Sequence, residues 1–523
     1  MYLKRSPDMD AIAAPGLAAV ASHIPVRNPL PDGGARAGAA AAGQGLPWIT
    51  VAPGAPYFVT DQGENWTPIG QNDALSWPDL AGAYRRKDLA SVDRYFAMLA
   101  AHGVTCMRMM LEYCQGEHRY LERPAGVFQP AMIRLWDDVF ALGERYGIRL
   151  LLTPFDTFWM RRRWARHPYN YRNGGPCRRL SGFLLCPATR EAMQQRLAFV
   201  TRRWGGSGVI FGWDLYNEID PREAAGEVAA VAAWISQAST FLRQEEIRLH
   251  GRAHLQTVSV YGPLLRQYPQ LNPVVFRHPS LDFASVHFYD APLRKPTSPV
   301  KAALRAGELV KQALGQITDG RPFLDSEHGP DQLYRQTKGR IPVDFDEAYF
   351  HCVQWAHLAA GGAGGGLRWP YRHPHCLTPG MRLSQRILSG LVKRIDWQHF
   401  DRKPLGEQLT VLPRTVKAFA CGNGRLVLIW LVATDPAALQ NAAGAAPRVT
   451  LNMPFLDAGT YQVRAWNTRS GRLEAEKQYL FAAQGIISLP APLLRPDVVI
   501  LVTRQEAVYE QSVDQQSYKT ESR

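Results

Sequence analysis

The chain has no uninterrupted run of about 18 apolar residues, which excludes a transmembrane helix. It has no CxxC pair and no Cys/His cluster, so a structural zinc site is not expected. Its seven cysteines (Cys106, Cys114, Cys177, Cys186, Cys352, Cys376, Cys421) are an odd number, so at least one stays unpaired. Cys177 and Cys186 flank one loop and form either a bridge or two reduced thiols. The N-terminus lacks a convincing signal peptide. Pro15 interrupts the mildly apolar run from Ala11 to Ala21, and Asp8 and Asp10 cancel Lys4 and Arg5 before it. Localisation is therefore not legible. What is present is ordinary globular material: 46% aliphatic, aromatic and cysteine residues with 20% charged, enough for a large core and incompatible with wholesale disorder.

The charge is unevenly spread. Lys and Arg number 60 against 46 Asp and Glu, a net of +14, and a basic balance of this kind attracts nucleic acid, anionic lipid or acidic polymers. Between Asp156 and Cys186 stand Arg161, Arg162, Arg163, Arg166, Arg172, Arg178 and Arg179 against a single acid. These arginines share one loop with Trp159, Trp164, Tyr169 and Tyr171 and do not line a helix, so no nucleic-acid-binding module is recognisable. The loop reads as a wall that stacks on sugar rings and pairs with acidic substituents, or as a solvated, salt-bridged segment.

Residues 1–47 are rich in Ala, Gly and Pro and read as a flexible arm. From Trp48 onward eight apolar runs recur: WTPIGQN (66–72), TCMRMMLE (105–112), RLLLTPF (149–155), GVIFGWDLYNE (208–218), TVSVYG (257–262), DFASVHFY (282–289), PFLDSEHG (322–329) and GGGLRWPY (364–371). Helix-length stretches such as PAMIRLWDDVFALGERYG separate them. This alternation predicts an α/β fold, a (β/α)8 TIM barrel over 48–404 with loops longer than the ~250-residue norm. After Trp397 the pattern changes to period-2 alternation broken by Gly, Asn and Pro, which predicts a C-terminal antiparallel β-sandwich over 405–505, an accessory domain without catalytic groups. A polar tail, 506–523, follows.

Barrels of this kind carry their chemistry at the C-terminal ends of the strands. The fourth run ends in Asn217-Glu218 and the seventh in Glu327, 109 residues apart or three βα units, so both carboxylates project into one mouth from opposite sides. A pair of carboxylates across a cleft is what glycosidic bond cleavage requires. Arg108, flanked by Cys106, Met107, Met109 and Met110, is a charge inside an apolar strand; it serves either that pair or the neighbouring Glu112.

Arg108, DLYNEI, HFY, SEHG and RW, in this order at successive strand ends, together resemble glycoside hydrolase family 5 over about residues 55–400. The resemblance implies a retaining glycosidase of the double-displacement type that needs no cofactor. Glu218 would be the general acid/base and Glu327 the nucleophile, with the carboxyl groups about 5–5.5 Å apart. Asn217 would bind the sugar 2-OH, Arg108 and Tyr289 would hold Glu327 ionised, His287 would sit beside Glu218, and Trp369 would floor the cleaving subsite. Trp159 and Trp164 are expected to bind sugars further along. Thr153-Pro154-Phe155-Asp156 departs from the histidine that many members carry after the third strand; Asp156 either replaces it as an acceptor or caps a helix. The expected partner is a β-1,4-linked mannan or glucan, or an acidic relative. The alternatives are an exo-acting β-glycosidase, a non-catalytic carbohydrate-binding barrel and a nucleic-acid binder. Secretion or a periplasmic location would follow only from the resemblance.

Overall fold

The computed structural model describes residues 45–112, 119–289, 298–401, 403–434, 448–481, 485–490 and 496–505. The expected arm up to residue 44 and the tail from 506 lie outside the described residues. Seven of the eight expected runs form parallel strands: β1 (Gly70–Asp73), β2 (Cys106–Met110), β3 (Arg149–Thr153), β4 (Ile210–Asp214), β5 (Leu255–Thr257), β6 (Ala284–Tyr289) and β7 (Phe323–Gly329). β1 to β5 are neighbours in sequence order, and β6 pairs with β7. Every residue of β2, β3 and β4 is buried, as parallel strands covered on both faces must be.

Hydrogen bonds join the two parallel groups at both margins. His287 N donates to Val260 O at 2.9 Å, Asn72 N to Arg368 O at 2.8 Å and Trp369 N to His328 O at 2.8 Å. The helices between strands follow from their apolar spacing. Pro130–Tyr146 starts on a proline, which its first turn tolerates, and stops at Gly147 with φ +68°. Met132, Leu135, Trp136, Val139 and Phe140 recur at three- and four-residue intervals and form its buried face.

Three runs fold differently from expectation. Within 66–72 only the second half enters the parallel sheet, because Trp66 pairs with Phe58 in a separate three-stranded antiparallel unit. The fifth strand lies two residues earlier than expected. It ends at Thr257 because Ser259 N donates to the side chain of Asp214 at 2.8 Å and so leaves the ladder. The eighth run contributes only single bridges at Arg368. Gly364 and Gly366, at φ +77° and +73°, turn the backbone away from an extended course.

Beyond Trp397 the chain is antiparallel, as its alternation requires. Lys403–Pro404, Val416–Gly422, Leu426–Ala433, Asp497–Arg504, Gly459–Asn467 and Leu473–Phe481 form one sheet in that order, and Thr410–Leu412, Arg448–Met453 and Gly485–Pro490 form another. Leu426–Ala433 is buried along its whole length. Its odd-numbered residues Val427, Ile429 and Leu431 pack with Val449, Leu451 and Ile487 of the smaller sheet. Leu428, Trp430 and Val432, on its other face, belong to the same apolar core as the α/β region. Asp497 fastens this junction, facing His351 Nε2 at 2.9 Å and accepting from Trp430 Nε1 at 2.9 Å and Thr468 Oγ1 at 2.7 Å. Among the described residues no helix is long and apolar enough to cross a membrane. Cys177 and Cys186 are free, so the bridge between them does not form; Cys114 lies outside the described residues.

Candidate active site

Past the end of β4 the backbone is held on both sides. Asn217 N donates to Phe155 O at 2.8 Å and Ile219 N to Ser259 O at 3.0 Å. Between them Glu218 N donates to Ser259 Oγ at 3.2 Å, with Glu218 at φ +51°. A non-glycine residue in this left-handed region is strained, and such strain persists only where the surroundings over-determine it. Here it aims the Glu218 side chain. On β7 the pairing register with β6 shifts between Asp325 and Glu327, an irregularity of the kind that re-aims a side chain.

The two carboxylates meet. One oxygen of Glu218, one of Glu327 and a ring nitrogen of His287 lie within 4.8 Å of one another. The side chains of Glu218 and Glu327 keep 14% and 9% of their surface open, which leaves an approach from solvent. His287 Nδ1 is 3.0 Å from Glu218 Oε1 and 3.9 Å from Glu327 Oε2. Although these three groups have ligand chemistry for a cation, Arg108 already supplies positive charge to the cluster.

Arg108 is fully buried and its guanidinium is saturated with acceptors. Nε and Nη2 donate to Asp214 Oδ2 at 3.1 and 2.7 Å, Nη1 to Asn72 Oδ1 at 2.9 Å and Glu327 Oε2 at 2.8 Å, and Nη2 to Asn217 Oδ1 at 2.6 Å. Glu112, the alternative partner, is instead bound to Arg196 at 2.9 Å. Tyr289 Oη donates to Glu327 Oε1, so each oxygen of Glu327 has its own donor. Asn217 Nδ2 donates to Asp156 Oδ1 at 2.6 Å. Asp156 also caps the helix Thr157–Arg163, so it is acceptor and cap at once.

The surroundings set the protonation states. Burial pushes Glu218 up to about 7, with Arg108 and Arg161 opposing and Asp220 and Asp331 reinforcing. Desolvation, and not the charge on Glu327, is thus the main cause of the rise. Glu327 is also raised by burial, and Arg108 and Tyr289 oppose the rise, as His287 does only when protonated. Burial lowers His287 to about 4, so this ring is neutral at neutral pH. Stabilising the Glu327 carboxylate then falls to Arg108 and Tyr289.

The aromatic residues divide. Trp369 meets Trp77 edge-on at 4.8 Å and joins a small cluster with Ala74, Met110 and Trp159 at the C-terminal ends of β1 and β2. Trp164 is elsewhere, stacked on His167 and edge-on to Phe183, and packs against the main core. Trp164→Ala is therefore expected to lower the melting temperature, by several degrees if it loses about 2 kcal/mol. Trp159→Ala, which loses a smaller apolar cluster, should lower it less and raise KM for a polymer. Thermal melts beside polymer kinetics distinguish the two.

The arginines divide too. Arg161 pairs with Asp220 at 2.8 Å and lies 3.6 Å from Glu223, tying this loop to the segment after Glu218. Arg162 lies over Phe158 and Trp159, and Arg178 over Tyr171. Sequence reasoning missed Asp214, Ser259 and Asn72. Asp214 carried the signal that exposed Arg108, a charge inside an apolar run, and the two are each other's partners.

No family model matches the chain. It is 28% identical over 228 residues to mannan endo-1,4-beta-mannosidase 3 of Oryza sativa subsp. japonica, covering 38% of this chain and 46% of that one. Mannan endo-1,4-beta-mannosidase 4 of the same plant is 26% identical over 276 residues, covering 46% of this chain and 57% of that one. The chain thus spans about half the length of these curated relatives. Among solved structures, a glycoside hydrolase family 5 protein from Bacteroides vulgatus ATCC 8482 superposes with a TM-score of 0.58 at 12% identity over 87% of this chain and 93% of that one. A second, described as a glycoside hydrolase, gives 0.56 at 11% identity over 88% and 97%. The resemblance of this chain to glycoside hydrolase family 5 is thus matched by its fold.

Proposed function

We propose that the chain is a retaining glycosidase that cleaves a β-linked polysaccharide, with Glu218 as general acid/base and Glu327 as nucleophile. In this reading the seven strands and the bridges at Arg368 form a closed (β/α)8 barrel, and the antiparallel sheets form a β-sandwich from about residue 405. The observation that carries the reading is the approach of the two carboxylates to within 4.8 Å. It suits the ~5–5.5 Å separation of retaining enzymes, whereas inverting pairs stand ~6.5–9.5 Å apart to admit a water.

The two acids differ as double displacement requires. Glu218, held up to about 7, is largely protonated below that pH and gives its proton to the departing glycosidic oxygen. Glu327 attacks the anomeric carbon and forms a covalent glycosyl ester. Glu218, now a carboxylate, takes a proton from the incoming water, which breaks that ester and restores Glu327. Neutral His287, 3.0 Å from Glu218, orients the carboxyl group through both steps. An endo-acting β-1,4-mannanase is the favoured substrate assignment, supported by the names of the curated relatives.

The pH profile tests the acid assignment. kcat/KM should fall as pH rises through about 7, because Glu218 loses its proton there. Glu218→Gln should abolish that basic limb. It should also slow cleavage of substrates with poor leaving groups by roughly 10²–10⁴-fold, the scale of general acid catalysis, while release of an activated phenol in the first step is largely spared. A basic limb that persists in the variant would transfer the acid role to another residue.

A further inference from the structure

A cleft of about 520 Å³ opens between the helix Pro379–Val392 and the turn after Gly459–Asn467, walled by Leu383, Arg386, Ile387, Arg394 and Trp466 with Trp355 at its floor. It runs into a second hollow of about 350 Å³ that shares Arg394, Trp466 and Gly471 and reaches Arg464 and Glu476. Neither contains Glu218, His287 or Glu327. Gly390 keeps the wall low, since a Cβ there would meet open space. The volume is that of a ligand site.

The acceptors of this cleft are engaged: Asn467 Oδ1 accepts from Arg469 N and Ser470 N, and Ser470 Oγ from Arg472 N. Arg464 is taken by Glu476 at 2.7 Å, and Glu476 also accepts from Gln462. Arg386 and Arg394 are exposed and have no side-chain partner among the described residues. An arginine fork matches a carboxylate. Arg386 lies in the helix and Arg394 two residues past its end at Val392; the six positions from Arg386 to Val392 alone span roughly 9 Å at a helical rise, too far for one carboxylate and suited to charges repeated along a chain. Leu383, Ile387 and the edge of Trp466 add apolar surface for the C–H faces of sugar rings.

From these two unengaged guanidinium groups beside apolar side chains we infer that the cleft binds a linear saccharide carrying uronate carboxylates, outside the catalytic cleft. The ligand lies along this wall with one carboxylate on Arg386 and another on Arg394. Inorganic polyphosphate has the charge but no apolar face, and an oligonucleotide is the competing occupant that the titration below separates.

Calorimetric titration of the full-length Glu327→Ala chain with an oligogalacturonate tests this without any hydrolysis, so its failure is separable from failure of the glycosidase reading. Binding should weaken as salt is raised, and should fall at least tenfold with Arg386→Gln and Arg394→Gln together. Gly390→Tyr, which fills the cleft and leaves the charges in place, should block it as well. With Glu327 intact, both variants should retain wild-type turnover of a small aryl glycoside. No binding, binding untouched by either variant, a neutral manno-oligosaccharide sharing the variants' loss, or polyphosphate or an oligonucleotide binding as tightly and with the same loss would each overturn the inference.

Discussion

Glu327→Ala is expected to lower turnover of every β-glycoside tested by on the order of 10⁴–10⁶-fold, the scale on which a covalent nucleophile is lost, with the protein still folded. The fold should survive because Arg108 keeps Asp214, at 2.7 Å from Nη2, as its counter-charge. Removing the sole partner of a buried charge costs about 3–5 kcal/mol, and here a partner remains. A small external nucleophile such as azide, entering the space left by the carboxylate, should restore part of the activity on an activated aryl glycoside and yield a glycosyl azide of inverted configuration. Residual activity within a hundredfold of wild type would mean that another group attacks. Matched melting curves separate that outcome from unfolding.

A chain ended near residue 402 should fail to give a folded protein. Phe419, Cys421, Leu428, Trp430, Val432, Trp466, Val499 and Leu501 all lie in the core shared with the α/β region. At about 1.5–3 kcal/mol for a large apolar side chain, their loss removes on the order of 10 kcal/mol, comparable to the whole stability of a typical domain. The truncated chain is expected to aggregate, or to lack a cooperative melt by near-UV circular dichroism and calorimetry. Asp497→Ala in the full chain is the milder form of the same test. It leaves the donors of Trp430 and Thr468 and the His351 ring without their acceptor, and should cost about 3 kcal/mol or more. A truncated chain that melts cooperatively near the wild-type temperature would make the junction dispensable.

The regular parts of this architecture were legible because burial imposes a period. Full burial on both faces made β2, β3 and β4 continuous apolar runs, and one-sided burial made Arg448–Met453 alternate. Where a local feature overrides the period the reading slipped, as at the glycines before Arg368 and at Ser259, whose N–H serves Asp214. The carboxylate pair was legible because charges at the ends of buried runs need a reason. Its environment was not, since Asp214, Asn72 and Ser259 reach Arg108 from three other strand ends and no spacing along the chain records that. The loop shows the same limit: Trp159 and Trp164 are five residues apart and look alike in sequence, yet one joins the Trp369 cluster and the other packs inward.

The most direct test of the central claim is the anomeric configuration of the first product, followed by proton NMR during the earliest minutes of hydrolysis of an aryl β-glycoside or a β-1,4-oligosaccharide. If Glu327 forms a covalent intermediate that Glu218 helps water to open, the β-anomer appears first and the α-anomer only as mutarotation proceeds. The α-anomer appearing first would mean single displacement by water, and would contradict the assignment of Glu327 as nucleophile.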